Sequence, residues 1–108
     1  FLTQYFENNL SRKERHEGYL DALKANGVAS DESLVQYWQR DSGFTQSPII
    51  ALNSDNPPTA FFTQHLAITT DLLTLLHQNN IDIPKQVSII GFDEIPMVDM
   101  FKVPITVV

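Results

Sequence analysis

The run Val87-Ser-Ile-Ile-Gly-Phe92, entered through Ile83-Pro84 and left through Asp93, constrains this chain's fold most. It reads as a strand. A strand that is an almost continuous apolar run belongs where helices cover both faces of a sheet. Residues 66–79, just upstream, read as a Leu-rich helix with Leu72, Leu73, Leu75 and Leu76 as its apolar side. Before that come a turn cluster from Asn53 to Pro58 and a strand from Thr59 to Thr63. Leu34 to Trp38 reads as an earlier strand, residues 1–5 as the first, and Asn8 and Asn9 as a turn after it.

Two helix starts are written in the residues. Ser11-Arg-Lys-Glu14 has the S-x-x-E spacing of a capping box. The helix it predicts carries Tyr19, Leu20 and Leu23 toward a core and ends at Asn26-Gly27. Ser47-Pro48 predicts an N-cap and first position for a short helix through Leu52. Val103 to Val108 is a candidate last strand. Strand–helix alternation around a buried apolar strand predicts an α/β fold: a mostly parallel sheet with helices on both faces.

Length and charge narrow the function classes. The 108 residues allow one compact domain. Thirteen acidic residues against seven basic ones leave a formal charge of −6. The basic residues are scattered except for Arg12, Lys13 and Arg15. Duplex binding needs clustered cations to release counterions, so the chain alone is a poor nucleic-acid binder. Cysteine is absent, which excludes disulfides, thiolate metal ligands and Cys nucleophiles. No apolar run approaches the roughly 20 residues that cross a bilayer. Both ends lie inside apolar runs, Phe-Leu-Thr-Gln-Tyr and Pro-Ile-Thr-Val-Val, so a piece of a longer protein is expected.

No catalytic constellation is visible. Glycines stand at 18, 27, 43 and 91, too far apart for a phosphate-cradling loop. Neither G-x-S-x-G nor H-E-x-x-H occurs, and His16, His65 and His77 are widely separated. Asp93 and Glu94 are adjacent, and on an extended segment adjacent side chains point to opposite sides. The expectation is a binding protein rather than an enzyme, without metal or cofactor. An α/β enzyme stays as a rival that turnover of a bound ligand would revive.

Parallel sheets bind ligands in the crevice beyond the carboxyl ends of their strands. Asn8, Asn9 and Ser11 follow the first strand; Trp38, Arg40 and Asp41 close the second; Gln64 and His65 follow the third; Asp93 and Glu94 follow the fourth. Arg12, Lys13 and Arg15 sit in the first helical turn, where the helix dipole favours anions. They point either to a role beyond the helix or to a plain solvated surface.

Several segments together resemble one family. Ser11-x-x-x-Arg15-x-x-Gly18-Tyr19 with Ala22-Leu23 is similar to the S-x-x-x-R-x-x-G-[YF] helix of LacI/GalR transcription regulators. Pro58-Thr59-Ala60-Phe61-Phe62 resembles their P-T-A strand. Ile83-Pro84-x-x-Val87-Ser88-Ile89-Ile90-Gly91-Phe92-Asp93 resembles their V-S-[VI]-[VI]-G-[FY]-D signature, and Pro104-Ile105-Thr106 the P-L-T after it. The resemblance implies a core of two α/β subdomains like the periplasmic sugar-binding proteins. Residues 1–108 would be most of the C-terminal subdomain, a single α/β unit of a larger effector-binding core. The helix-turn-helix that reads operator DNA would lie outside this chain.

The resemblance also implies a site. Arg15 matches an effector-binding arginine, whose planar fork of donors suits sugar hydroxyls or a carboxylate. Ser11 matches a polar cleft position, with the N-cap as its rival role. Trp38 matches an aromatic that stacks on the ligand, with core packing as its rival. Asp93 matches an acceptor of ligand hydroxyls, with a turn position as its rival. After the third strand the family usually has Asn-Asp, and His65-Leu66 stands there instead, so His65 enters the site and the effector is expected to be altered. Met97, Met100 and Phe101 are candidates for a homodimer interface. The implied protein is a cytoplasmic, sugar-responsive regulator that needs no cofactor; the alternative is a secreted sugar-binding protein of an uptake system. With half the cleft missing, this chain alone is expected to bind ligand weakly or not at all.

Overall fold

A computed structural model describes residues 1–4, 9–91 and 106–107, the last two as backbone. Strands are β1 (Leu2–Thr3), β2 (Gln36–Gln39), β3 (Gly43–Phe44), β4 (Ala60–Thr63), β5 (Ser88–Gly91) and β6 (Thr106–Val107). Helices are α1 (Leu10–Ala25), α2 (Pro48–Leu52) and α3 (Leu66–Gln78), with a single 3₁₀ turn at Glu32–Leu34. The strands form one sheet in the order β3-β2-β1-β4-β5-β6. All neighbours run parallel except β2 and β3, which pair antiparallel. The chain therefore steps from β1 to one side for β2 and β3, then crosses to the other side for β4, β5 and β6.

The α3 sequence explains its docking. Ile68, Thr69, Leu72, Leu73 and Leu76 are buried and recur at the 3.6-residue period, so they form one stripe. That stripe lies on Leu2, Trp38, Phe61, Val87 and Ile89, which complete the core. Phe61 stands opposite Ile89 in the β4–β5 register, and both are buried. Full burial of each large apolar side chain contributes about 1.5–3 kcal/mol. Leu75, expected on the apolar side, is half-buried at the stripe's edge.

The other face of the sheet is thinner. Phe62 and Ile90 are half-buried there. Phe1 stacks on Tyr19 of α1 with ring centroids 4.8 Å apart and tilts against Phe62 at 5.5 Å. The expectation that α1 sinks Tyr19, Leu20 and Leu23 into a core is corrected. No α1 residue is fully buried, and Leu20 is exposed. The helix is too polar to present an apolar stripe, so it rests on the sheet through a few side chains.

The start of α1 also differs. Asn9 is the N-cap, its Oδ1 accepting the Arg12 N–H at 3.1 Å. Asn caps as well as Ser, so the helix begins two residues before the S-x-x-E pattern suggests. Ser11 thereby becomes a first-turn residue rather than the cap. Ser47 and Pro48 cap and start α2 as predicted, with Ser47 Oγ accepting from Ile49 N–H.

α1 ends in a Schellman motif. Gly27 has φ +68°, the Val28 N–H donates to the Leu23 carbonyl at 2.9 Å, and the Gly27 N–H to that of Lys24. α3 ends the same way, with Asn80 at φ 56° in the glycine position and the Ile81 N–H donating to the Leu76 carbonyl at 3.0 Å. The strand expected over Leu34 to Trp38 starts later. Asp31 caps the 3₁₀ turn through the Ser33 N–H, and this holds Leu34 out of the ladder. The β2–β3 hairpin is not among the elements expected from the sequence. Gly43, at φ +75°, makes the turn possible and brings Phe44 opposite Trp38.

Candidate functional site

The sheet order places a switch point between β1 and β4, because the connections leaving these neighbours run in opposite directions. A cleft of about 800 Å³ opens there, at the carboxyl ends of β1, β2 and β4. From α1 and its cap it receives Asn9, Ser11, Arg12 and Arg15; from β2 and the following turn, Trp38 and Arg40. The turn after β4 supplies His65, and α3 supplies Leu66, Ala67, Thr70 and Asp71.

Four of the predicted ligand residues, Ser11, Arg15, Trp38 and His65, thus surround one cleft. Ser11 is exposed in the first turn of α1. One turn on, Arg15 donates from Nη1 to the Gln64 carbonyl at 2.9 Å, across 49 residues of sequence. His65 is the N-cap residue of α3 but makes no side-chain cap bond. Its Nε2 instead lies 3.0 Å from Gln4 Oε1. Asp93, Met97, Met100 and Phe101 lie outside the described residues.

Trp38 combines two surroundings. It is only 2% exposed and belongs to the core, yet it also forms part of the cleft wall. Its Nε1–H donates to Asp71 Oδ2 at 2.7 Å. The His65 ring meets it edge-on at 5.4 Å, and the Arg40 guanidinium carbon lies 5.6 Å from its centroid. A buried indole N–H needs an acceptor, and Asp71 supplies it.

Asp71 is absent from the residues the sequence pointed to. A signal existed: it is the one acidic residue of α3. Its partner lies 33 residues away, and no local pattern connects them. The chemistry of the wall is mixed. Guanidinium and imidazole groups are suited to hydroxyls and anions, and the apolar surface of Leu66 and Ala67 suits a ligand's C–H face. Among the described residues no group of three His, Cys, Asp or Glu is placed to hold a metal, and no helix is long and apolar enough to cross a membrane.

The family profile of the periplasmic binding protein-like domain matches residues 1–108. The transcriptional regulator GalR of Escherichia coli is 32% identical over 84 residues, covering 77% of this chain and 24% of that protein. GalS of Salmonella typhimurium is 37% identical over 84 residues, with 77% and 25% covered. AscG of Escherichia coli is 30% identical over 115 residues, with 98% and 34% covered. The chain thus spans a quarter to a third of the length of these curated relatives, all HTH-type transcriptional regulators. A solved structure from Burkholderia thailandensis, described as a ribose operon repressor, shares the fold with a TM-score of 0.75 at 23% identity; the match covers 98% of this chain and 38% of that one. The mostly parallel sheet, the switch-point cleft and these matches lead to one statement: the chain belongs to the periplasmic binding protein-like domain family, and its relatives are regulators of the LacI/GalR kind.

Proposed function

We propose that this chain is part of the effector-binding core of a LacI/GalR-type transcription regulator. The observation that carries the reading is the convergence of Ser11, Arg15, Trp38 and His65 on one cleft at the switch point. The cleft takes a small polyhydroxylated effector, a sugar or sugar derivative. Arg15 and His65 bond its polar groups, Leu66 and Ala67 lie against its C–H surface beside the edge of Trp38 that reaches the cleft, and Asp93 accepts from its hydroxyls. Leu66, in the place of an acceptor, makes the effector different from one that the Asn-Asp pair would hold.

In this reading residues 1–108 form one α/β subdomain of a two-subdomain core in a cytoplasmic homodimer. Met97, Met100 and Phe101 contribute to the interface, and a helix-turn-helix elsewhere in the full-length protein reads the operator. The relatives favour this over an exported sugar-binding protein and over an enzyme. Effector closes the cleft and changes the spacing of the DNA-binding heads. Effector and operator then alter each other's affinity by the same factor.

The test is made in the full-length natural protein. Arg15→Ala and Asp93→Ala are expected to abolish the effector response of operator binding while leaving operator affinity intact. Unchanged effector affinity in both variants would overturn the site.

A further inference from the structure

Gln64 is fully buried, although it follows directly on β4 at the edge of a cleft. Burial alone would select an apolar residue there. A buried amide is costly unless both of its ends are bonded, and here both are. Its Oε1 accepts from the main-chain N–H of Gln4, just past β1, at 3.2 Å. Its Nε2 donates to the main-chain carbonyl of Arg12, in the first turn of α1, at 2.9 Å. One side chain therefore ties together the ends of two neighbouring strands and the start of a helix.

The same residue holds a second connection. The Gln64 carbonyl is the acceptor for Arg15 Nη1 at 2.9 Å. Gln4, whose N–H Gln64 holds, places its own Oε1 3.0 Å from His65 Nε2. Arg15 and His65 stand in the cleft wall on different elements and are joined through two glutamines, neither of which lines the cleft. A long arginine loses much rotamer freedom when it engages a ligand. Fixing it beforehand removes part of that cost, and a fixed supporting shell is what makes such a site accurate.

We propose that Gln64 is a positioning residue of the cleft: its side chain locks the start of α1 to the ends of β1 and β4, and so presets Arg15 by holding its helix against the Gln64 carbonyl, and His65 through Gln4. This rests on the reading of the cleft as an effector site. Its chemistry is separate, because the lock exists before any ligand arrives.

The experiment uses the full-length natural protein with Gln64→Met, which keeps the bulk of the side chain and removes both bonds. The first readout needs no ligand. The Arg15 guanidinium N–H resonance, assigned by its loss in Arg15→Ala, is expected to be sharp and slowly exchanging in the natural protein and broadened in Gln64→Met. A resonance that stays sharp in the variant overturns the proposal. The second readout is calorimetric titration with D-ribose and D-galactose. Gln64→Met is expected to weaken binding about tenfold, the net scale of one or two hydrogen bonds. The double variant Gln64→Met/Arg15→Ala is expected to lose clearly less than the product of the two single losses, because only the His65 share of the Gln64 effect remains. Losses that multiply would mean a general structural role and would overturn it. Failure of the natural protein to bind either sugar, or any in a panel of aldoses, ketoses and sugar acids, counts against the effector reading, while the guanidinium resonance still decides the positioning role. Should Gln64→Met not fold, Gln4→Ala and His65→Ala are compared in the same cycle, with non-additivity expected and multiplying losses overturning the proposal.

Discussion

The indole Nε1–H of Trp38 donates to the Asp71 carboxylate at 2.7 Å, joining the end of β2 to the second turn of α3. The bond fixes the one tryptophan of the chain, which is both a core residue and part of the cleft wall. Any motion of α3 relative to β2 must break it or carry the indole along.

Asp71→Ala removes the acceptor and leaves a buried N–H without one. The expected cost is about 1–3 kcal/mol of stability, measured by urea titration. Trp38 emission reports the change directly, shifting to the red as water reaches the indole. Asp71→Asn keeps an acceptor oxygen and is expected to recover most of the loss.

Leu72 is fully buried in the α3 stripe. Leu72→Ala leaves a cavity between the helix and the sheet, and the expected loss is about 2–5 kcal/mol. The same change at Leu75, which is half-buried, is expected to cost much less. Chemical denaturation of the two variants side by side checks the contrast.

Asn80 holds a left-handed backbone conformation at the end of α3 that Gly27 holds at the end of α1. An L side chain is strained there, whereas glycine is not. Asn80→Gly is expected to stabilise the protein by about 0.5–1 kcal/mol, because the crowding of Cβ against the following carbonyl oxygen is relieved when the Cβ is removed. Gly27→Ala introduces that crowding and is expected to destabilise the protein. Thermal unfolding midpoints of the two variants should move in opposite directions.

The Asp31 carboxylate accepts from Ser33 Oγ at 2.7 Å and from the Ser33 N–H at 2.9 Å. These bonds favour its charged form, so its pKa lies below the usual 3.8. The folded value being the lower one, its contribution to stability is present above the unfolded pKa and is lost as pH falls through the folded value. An NMR titration of Asp31 is expected to give a midpoint below 3.8, and Ser33→Ala to return it toward that value.

Much of this architecture is legible in the residues because it depends on short-range rules. Ser47-Pro48 starts a helix, Gly27 ends one, and the spacing of Ile68, Leu72 and Leu76 sets which side of α3 turns inward. Other features are less legible. Asn9 and Ser11 are both good caps by residue type, and it is the Arg12 N–H bond to Asn9 Oδ1 in the folded chain that distinguishes them. The polarity of α1 reads as an ordinary amphipathic helix until the sheet shows how little of it is covered.

The cleft divides the same way. Strand–helix alternation by itself determined where the cleft lies, beyond the strand ends, because polar side chains there escape the core, although Trp38 belongs to both. Which groups meet was decided by tertiary structure alone. Trp38 with Asp71, Arg15 with Gln64 and His65 with Gln4 are 33, 49 and 61 residues apart in sequence. Local propensity acts over a few residues. Contacts at these separations follow from strand order, and strand order is set by how the whole sheet buries its apolar faces.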